Sequence, residues 1–550
     1  MANKFDDKME RWKRYQNAWD ARNLKLFLFQ EAYKFALPGR NKWLIKTPAV
    51  DKTIYRWDVT AIEALQSFAS NLQTMLMPPF QDWFQLKSGD IDPSAKKLVD
   101  EELQVYTQQI LDVLNNSNLF LEANIAFQDM GISTGLLKIS LTDNDAAPIK
   151  FEAIPMHTVA IMEHEGEIKD IWRTLEIPLS DIKSVWPDAK MPQRFEQMMK
   201  QSPHANVTLV EGTIYYPEND PNERYLYYVC DQESKEDLVN QAMDMSPWIP
   251  FRFSVSPGET WGFGPVLQML DYIRIANKMT EFDMTNAGYT ISRPMMIQSN
   301  QIVNPYNVVM SPGAQIQVED MRVPPIQMLD VGGDLKFDQV TLSEVQQTIR
   351  NAMFADPLGP SDQKEQTATE VSIRQQNWVQ KSTASFARLN NELLHPIVFK
   401  TIKLLKKHGQ FKDIRLTTTH FDIELNEQNI KIDFAGPMSN VQLKKDTQNI
   451  LDFYAALGQT VGPQLALGMT NLQFLPEILA EKMNLPLKLV KNSDELTMIA
   501  NQLAQQAVQA EQPPQPGPQP GQLVPGMGQA QQQEQQPVQQ PVTLIPGVSQ

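Results

Sequence analysis

The sequence predicts a multidomain α+β protein, because helical and strand patterns occupy different parts of a long chain. Helical periodicity dominates residues 5–130, strand alternation dominates residues 149–255, and helical periodicity returns after Gly262. With 550 residues, the chain is too long for one ordinary hydrophobic core. We therefore expect several domains, with antiparallel strands in the strand-rich part.

The N-terminal segment is basic and amphipathic. Residues 1–50 contain eleven Lys and Arg against five Asp and Glu, whereas the whole chain has a net charge of −16. Apolar residues recur at helical spacing over 5–36, and Pro38-Gly39 marks where that helix ends. Two interpretations are open: an amphipathic helix on its own core, or a basic arm that docks on a neighbouring subunit or another acidic surface.

Further helices and strands follow before residue 256. Apolar stripes predict helices over 53–77, 93–114 and 119–130, and the pair Pro78-Pro79 ends the first of them. Strands are predicted near 84 and over 131–141, and strands dominate 149–255 with short helices within 180–200. The segments His164–Glu167 and Pro217–Glu223 indicate two hairpins.

Residues 262–409 form the central stretch. It contains a helix from Gly262-Phe-Gly-Pro265 to about Gly288, a proline-rich extended segment, a helix over 335–353, a polar loop and a long helix. Val266, Ile273 and Phe282 belong to the apolar stripe predicted for the first helix. Asp271, Arg274, Lys278 and Glu281 are spaced for ion pairs along that helix. Pro396 predicts a kink in the long helix.

Two features of this stretch have alternative interpretations. Gly262 and Gly264 at a strand-to-helix junction resemble a phosphate loop, but the third glycine of a dinucleotide fingerprint is missing, and Pro265 suits a plain helix start. Basic residues end the long helix at Lys400, Lys403, Lys406, Lys407 and His408. They either complement the helix dipole or form a DNA-binding patch.

The C-terminal part changes character twice. Residues 411–435 have strand patterns that we expect to complete the sheet begun before the central stretch, and residues 436–507 are helical. The last 40 residues, 511–550, contain nine Pro and five Gly among many Gln. Because such a composition cannot bury a core, we expect the tail from 508 to be disordered.

The chain lacks recognisable catalytic motifs. It has no G-x-x-x-x-G-K-[ST], no H-E-x-x-H and no G-x-S-x-G, and it has a single cysteine, Cys230. No apolar run reaches the length of a membrane span. We expect no catalytic residue, no cofactor, no metal site and no membrane contact. The acidic charge disfavours tight general binding to nucleic acid, which requires many Lys and Arg contacts to phosphate.

Three local patterns and the order of the elements carry a family resemblance over roughly residues 8–500. The patterns are AIEALQSFASNLQTMLMPPFQDWF at 61–84, WGFGPVLQMLDY at 261–272 and QTATEVSIR at 366–374. The chain resembles the portal proteins, the head-to-tail connectors of short-tailed, podovirus-type bacteriophages. In that family twelve copies form a ring, a dodecamer, at one capsid vertex.

The resemblance implies a layout of subdomains along the chain. These are an N-terminal basic helical arm (1–48), an α+β wing (49–263), a first stem helix (264–290), a small β-rich clip (291–334), a second stem helix (335–353), a tunnel loop (354–367), a long kinked helix (368–409), wing strands (410–435), an all-α crown (436–507) and a disordered Gln/Pro-rich tail (508–550).

The resemblance also implies roles for individual residues. The tunnel-loop residues Asp362, Gln363, Lys364 and Glu365 would face the DNA, with Arg374 and Lys381 as further DNA contacts. The clip residues Asn304, Pro305, Tyr306, Pro312 and Gly313 would form a docking surface. Gly262, Gly264 and Pro265 would start the stem, and Pro396 would mark the kink.

Partners and location follow from the same resemblance. Genomic double-stranded DNA would enter and leave through the channel, driven inward by a separate ATPase. The implied protein partners are the terminase large subunit, major capsid protein, scaffolding protein, tail adaptor protein and internal core or ejection proteins. The protein would assemble in the host cytoplasm and reside in the virion. A tail adaptor or scaffold of another kind is the alternative, and an enzyme ranks below both.

Overall fold

The computed structural model describes residues 7–40, 56–89, 93–142, 144, 146–291, 295–297, 326–328, 335–355, 383–409, 415–417, 422–424, 430–434, 437–461, 475 and 479. The α-helices are α1 (Lys8–Asn23), α2 (Leu26–Ala36), α3 (Thr60–Leu76), α4 (Pro93–Asn116), α5 (Leu119–Ile132), α6 (Ile182–Val185), α7 (Gln193–Gln201), α8 (Pro265–Gln268), α9 (Leu270–Ile291), α10 (Leu335–Ala352), α11 (His395–Lys407) and α12 (Pro437–Val461).

The strands are β1 (Phe84–Ser88), β2 (Thr134–Leu141), β3 (Ile149–Ala153), β4 (Val159–His164), β5 (Glu167–Pro178), β6 (Asn206–Tyr215), β7 (Tyr225–Asp231), β8 (Asp237–Met243), β9 (Trp248–Arg252), β10 (Met295–Ile297), β11 (Ile326–Met328), β12 (Arg415–Thr417), β13 (Asp422–Glu424) and β14 (Ile430–Phe434). Every pairing between these described strands is antiparallel, and for the strand-rich part over 149–255 this confirms the prediction.

The largest core lies between helices and a small sheet. Helices α2–α5 pack with the three-stranded sheet β3-β2-β9 and with α8–α11. Phe68 and Phe127 from the helices meet Phe253 and Phe251 edge to face, at ring-centroid distances of 5.3 and 5.8 Å. Helices α2 and α11 are far apart in the sequence, yet both contribute side chains to this core. Their packing therefore fixes the position of each relative to the other.

The five-stranded sheet β4-β5-β6-β7-β8 has a separate hydrophobic core on each face. Side chains alternate across its pleat, so Val210 and Tyr228 face α1, whereas Leu209 and Val229 face α6 and α7. Gly166, at φ +86°, allows the tight turn between β4 and β5. The hairpins predicted at His164–Glu167 and Pro217–Glu223 are confirmed, since β4 pairs with β5 and β6 pairs with β7. Helices α6 and α7 confirm the short helices predicted within 180–200.

The N-terminal segment forms two helices where the sequence predicted one. The break at Leu24-Lys25 lets α1 lie on the five-stranded sheet while α2 packs on α3 and α8. Tyr15 and Ala18 are buried against the sheet, and Phe29 and Tyr33 are buried in the main core. The two cores need different helix directions, which a single straight helix cannot satisfy.

Strand β14 returns to the N-terminal half of the chain. It pairs with β1 in the register Phe84↔Phe434 to Ser88↔Ile430. The expectation that residues 411–435 pair with a strand from before the central stretch is confirmed for β14. Strands β12 and β13 pair with each other instead.

The central stretch departs from the prediction at two places. The helix expected from Gly262 to Gly288 is divided into α8 and α9 at Met269. The long helix is described from residue 383 and contains a π-helical turn at Asn390–Leu394, directly before α11. Pro396 lies in the first turn of α11, where its missing N–H and its ring prevent a regular hydrogen bond to the preceding turn.

Candidate functional site: helices α8–α10 and their flanks

The junction before α8 is closed by backbone contacts. The Gly262 N–H donates to Thr134 Oγ1 at 3.0 Å, and the Gly264 N–H donates to the Ile132 carbonyl at 3.0 Å. A Cβ at Gly264 would lie 2.3 Å from the Gly131 carbonyl oxygen. Since these N–H groups are already bonded inside the fold, the glycines serve close packing, and the phosphate-loop alternative is wrong.

Helix α9 has two apolar faces. Leu270, Ile273 and Ala276 are buried in the main core. On the opposite face Tyr272, Ile275 and Phe282 are 43%, 47% and 60% exposed. We call these three residues the α9 outer stripe. Their spacing of three and seven residues keeps them on one side of the helix. A helix that is apolar on opposite faces is normally covered on both.

Polar contacts fix the inner side of α9 to the N-terminal half of the chain. Arg274 donates through Nε to Glu31 Oε1 at 2.7 Å and through Nη2 to Glu31 Oε2 at 2.5 Å. The backbone N–H of Trp57 donates to Asn277 Oδ1 at 2.8 Å. The predicted ion pairs Arg274–Asp271 and Lys278–Glu281 are present, at 2.6 and 2.9 Å. Arg274 and Asn277 thus hold α9 against the N-terminal half of the chain.

Helix α10 packs against α9 and α3, and its C-terminal end is anchored. Ile349 and Met353 are fully buried. Gln346 Nε2 donates to Asp58 Oδ2 at 2.6 Å, and Asn71 Nδ2 donates to the Phe354 carbonyl at 3.1 Å. The end of this described segment, at Phe354 and Ala355, is therefore held at a fixed point in the main core.

The π-helical turn before α11 holds an ion pair with β9. Arg252 donates through Nη2 to Glu392 Oε1 at 2.8 Å, and its backbone N–H donates to Glu392 Oε2 at 2.9 Å. The Arg252 side chain is 3% exposed. The turn forced by Pro396 thus places a carboxylate beside a buried guanidinium, which fixes α11 to the sheet.

The basic residues at the end of α11 do not form one open patch. Lys400 Nζ donates to the Trp248 carbonyl at 2.5 Å, and burial lowers the pKa of Lys400 to about 7. Lys403 is 3.5 Å from Asp244. At least two of the four lysines are therefore engaged within the fold, which favours the structural interpretation over a DNA patch.

The basic residues of the N-terminal arm bind acidic groups of the same chain. Arg11 contacts Asp237 at 2.9 Å, Arg40 contacts Asp129 at 3.4 Å, and Arg14 and Lys25 pair with Asp170 and Glu259. Arg22 donates to the His157 carbonyl at 2.5 Å. The arm docks on its own chain, so the first of the two sequence interpretations is the one that the structure supports.

Most of the sequence-predicted site residues lie outside the described residues. These are the tunnel-loop residues Asp362, Gln363, Lys364 and Glu365, the further DNA candidates Arg374 and Lys381, and the clip residues Asn304, Pro305, Tyr306, Pro312 and Gly313. Gly264 caps α8 at its N-terminus and Pro265 is in its first turn. Within the described ranges there is no cluster of metal-ligating side chains, and no helix is long and apolar enough to cross a membrane.

The sequence prediction overlooked the α9 outer stripe. It placed Phe282 in one stripe with Ile273, yet Ile273 is buried and Phe282 is exposed on the other face. The signal was available: Tyr272 and Ile275 repeat at helical spacing but are out of phase with the core-facing residues.

Comparison with known proteins identifies the family of this chain. Residues 9–490 match the family model described as bacteriophage head to tail connecting protein. The chain is also similar to a probable portal protein of Bordetella phage BPP-1, with 18% identity over 474 residues that cover 83% of each chain. The family match spans the arm, both sheets, α8–α10 and α11. The chain therefore belongs to the bacteriophage head-to-tail connecting proteins, the portal proteins of phages.

Proposed function

We propose that this chain forms a ring at one capsid vertex and that genomic double-stranded DNA passes through the centre of the ring. The observation that carries the proposal is the family match over residues 9–490, since it includes almost every described element. In this proposal the ring has twelve copies, binds the terminase during packaging and then binds the tail. The chain would perform no catalytic step, because the ATPase belongs to another protein.

The subdomain layout is part of the proposal. Helices α9 and α10 would be the stem, because they pack side by side, with β10 following α9 in the chain and its partner β11 preceding α10. The segment between these helices, 291–334, would be the clip that contacts terminase and tail. Residues 354–367 would be the tunnel loop, residues 49–263 and 410–435 the wing, and residues 436–507 the crown.

The α9 outer stripe would contact the next copy in the ring. A ring with rotational symmetry uses two different surfaces of each subunit, so an apolar face left open in one copy can be covered by another surface of its neighbour. Full burial of a large apolar side chain contributes roughly 1.5–3 kcal/mol, and because these three are 43–60% exposed, covering each would contribute about half of that. Three such side chains, repeated at every contact, are a sizeable part of what a subunit interface requires.

Electrostatics supports a passage that does not hold DNA tightly. The chain has a net charge of −16, and ion pairs within the chain already engage several arginines of the basic arm. DNA binds tightly where many Lys and Arg contact phosphates, so an acidic wall with few free cations lets it slide. Lys364, in the proposed tunnel loop, is the cation we assign to transient backbone contact.

Electron microscopy of the purified full chain tests the ring directly. Negative-stain images are expected to show rings with a central hole, and mass photometry should give a mass that is a multiple of 62.7 kDa. Rings with a number of subunits other than twelve would still support the proposal, because overexpressed protein can close differently. Monomers or filaments would contradict it and favour a tail adaptor or scaffold.

The role of Lys364 is tested in particles. The Lys364→Ala variant should assemble into rings like the natural chain but alter the amount of DNA packaged or retained. Gln366→Ala is the matched control, since it shortens a side chain of the same proposed loop that is not assigned to DNA contact and does not change charge. Equal genome content in particles with either variant would contradict the assigned role.

A further inference from the structure

A groove runs between helix α1 and the five-stranded sheet. Its volume is about 950 Å³, and it is lined by the aromatic residues Trp12, Tyr15 and Trp19 on one side and by β5 and β6 on the other. Amide and hydroxyl side chains, among them Gln16 and Thr208, complete the lining. The channel proposed above uses none of these residues.

The aromatic residues form a continuous row along α1. The Trp12 and Tyr15 ring centroids are 4.9 Å apart, and those of Tyr15 and Trp19 are 6.0 Å apart. Tyr15 is buried, whereas Trp12 and Trp19 are half-buried and line the groove. Seven residues separate the two tryptophans, so they lie about 10.5 Å apart along the helix.

We propose that this groove binds the proline-rich segment 511–520 of the C-terminal tail, either of the same chain or of a neighbouring copy. The segment reads EQPPQPGPQP and contains the pair Pro513 and Pro516 in P-x-x-P spacing. In a polyproline II helix such prolines are about 9.3 Å apart, which matches the spacing of the two tryptophans. Aromatic-lined grooves are the surfaces that recognise such helices.

Charge and polarity agree with this occupant. Residues 511–550 contain only two charged residues, Glu511 and Glu534, and many glutamines. The groove presents both signs of charge, through Asp20, Arg173 and Glu176, among neutral amides and hydroxyls. Neither the groove nor the tail segment therefore carries a strong charge of one sign that would repel the other. The glutamine amides of the tail can form hydrogen bonds with the amides and hydroxyls that line the groove.

The tail is long enough to reach the groove. Helix α12 ends at Val461, so about 50 residues precede Glu511, and even at the helical rise of 1.5 Å per residue they span about 74 Å. The tail can therefore reach surfaces far from the end of α12, in the same chain or in a neighbouring copy.

Disulfide trapping in the full chain tests the proposal. Gln16→Cys lies in the groove and Gln515→Cys lies between the tail prolines, and mild oxidation should link them. Cys230 does not interfere, because burial raises the pKa of its thiol to about 12 and keeps it protonated. The matched control pairs Gln515→Cys with Ala21→Cys, an exposed position on α1 outside the groove.

The groove pair should give at least ~10-fold more disulfide than the control pair, because docking raises the local concentration of the tail. A band at monomer mass identifies binding within one chain, and a dimer band identifies binding between copies; both support the proposal. Adding Pro513→Ala and Pro516→Ala should lower the yield, whereas Pro537→Ala and Pro541→Ala should not. Equal yields at Gln16 and Ala21, no disulfide at all, or indifference to Pro513 and Pro516 would overturn it.

Discussion

The five-stranded sheet and helix α9 differ in whether their apolar faces are covered within the chain. The sheet is covered on one face by α1 and on the other by α6 and α7, all from the same chain. Helix α9 has its inner face in the main core, but its outer stripe of Tyr272, Ile275 and Phe282 is exposed. The sheet region is covered within one chain, whereas in the proposed ring the outer face of α9 would be covered by another copy.

Buried charge shows the same contrast. In the sheet region Glu211 is 1% exposed and accepts from Tyr227 Oη at 2.6 Å and from Lys138. Asp170 is fully buried and accepts from the Tyr215 backbone N–H at 2.7 Å and from Arg14. On α9 the ion pairs Arg274–Asp271 and Lys278–Glu281 lie largely in solvent. Changes in the sheet should therefore alter stability at any protein concentration, and changes in the stripe should alter assembly.

The largest expected effect is on the sheet. Glu211→Ala removes a buried carboxylate and leaves Lys138 without it, which should lower the free energy of unfolding by roughly 3–5 kcal/mol. Chemical denaturation measures this, and the loss should not depend on protein concentration. The control Glu176→Ala removes an exposed carboxylate from the same sheet and should change stability by less than ~0.5 kcal/mol. Equal effects of the two variants would contradict the assigned role of burial.

A second change tests the close backbone packing at the junction before α8. Gly264→Ala would place a Cβ 2.3 Å from the Gly131 carbonyl oxygen, so backbone must move, at a cost of about 1–3 kcal/mol. Gly39→Ala meets nothing within 4 Å and serves as the control. Thermal unfolding should separate the two variants. A Gly264→Ala protein as stable as the control would show that the junction is looser than described.

The third change should stabilise the protein. The folded-state pKa of Lys400 is about 7 and its ordinary value is 10.5, so the folded chain binds fewer protons than the unfolded chain between these values. The free-energy cost of burying the charged Lys400 ammonium is largest below pH 7 and falls to zero as the pH rises toward 10.5. Lys400→Met should therefore stabilise by roughly 1–2 kcal/mol at pH 6 and by less at pH 9.

Denaturation of Lys400→Met and the natural chain at both pH values measures that difference. Lys407→Met is the control, because Lys407 is exposed on the same helix. A gain that grows with pH would have the wrong sign and would contradict the burial of the charged group.

Much of the fold was predictable from the sequence, because the spacing of apolar residues and the positions of Pro and Gly determine locally where helices and strands begin and end. Pro78-Pro79 ends α3, Pro93 begins α4, and the turn Glu165-Gly166 joins β4 to β5 as predicted. What escaped prediction depends on contacts between distant segments. The break at Lys25 follows from two cores that need different helix directions, and the π-helical turn is tied to the Arg252–Glu392 pair across 140 residues.

The candidate site was predictable only in part. Family resemblance indicated the stem helices, but periodicity alone did not show which apolar stripe of α9 faces the core. That distinction depends on where α3, α5 and α10 lie, which no local pattern contains. The DNA-facing and docking residues assigned to the tunnel loop and clip remain predictions.

The smallest effect on stability should accompany the clearest effect on assembly. The double variant Ile275→Asp and Phe282→Asp changes exposed side chains, so its monomer should be nearly as stable as the natural chain. Two buried carboxylates at every contact would be costly, so rings should not form. The control Met284→Asp adds a carboxylate at a position on α9 that is 59% exposed and lies two residues after Phe282, on another face of the helix.

Sedimentation velocity of the natural chain, the double variant and the control shows whether the outer face of α9 is needed for assembly. We expect rings for the natural chain and for Met284→Asp, and folded monomers for Ile275→Asp with Phe282→Asp at the same concentration. Rings formed by the double variant as readily as by the control would contradict the claim that another copy covers the outer face of α9.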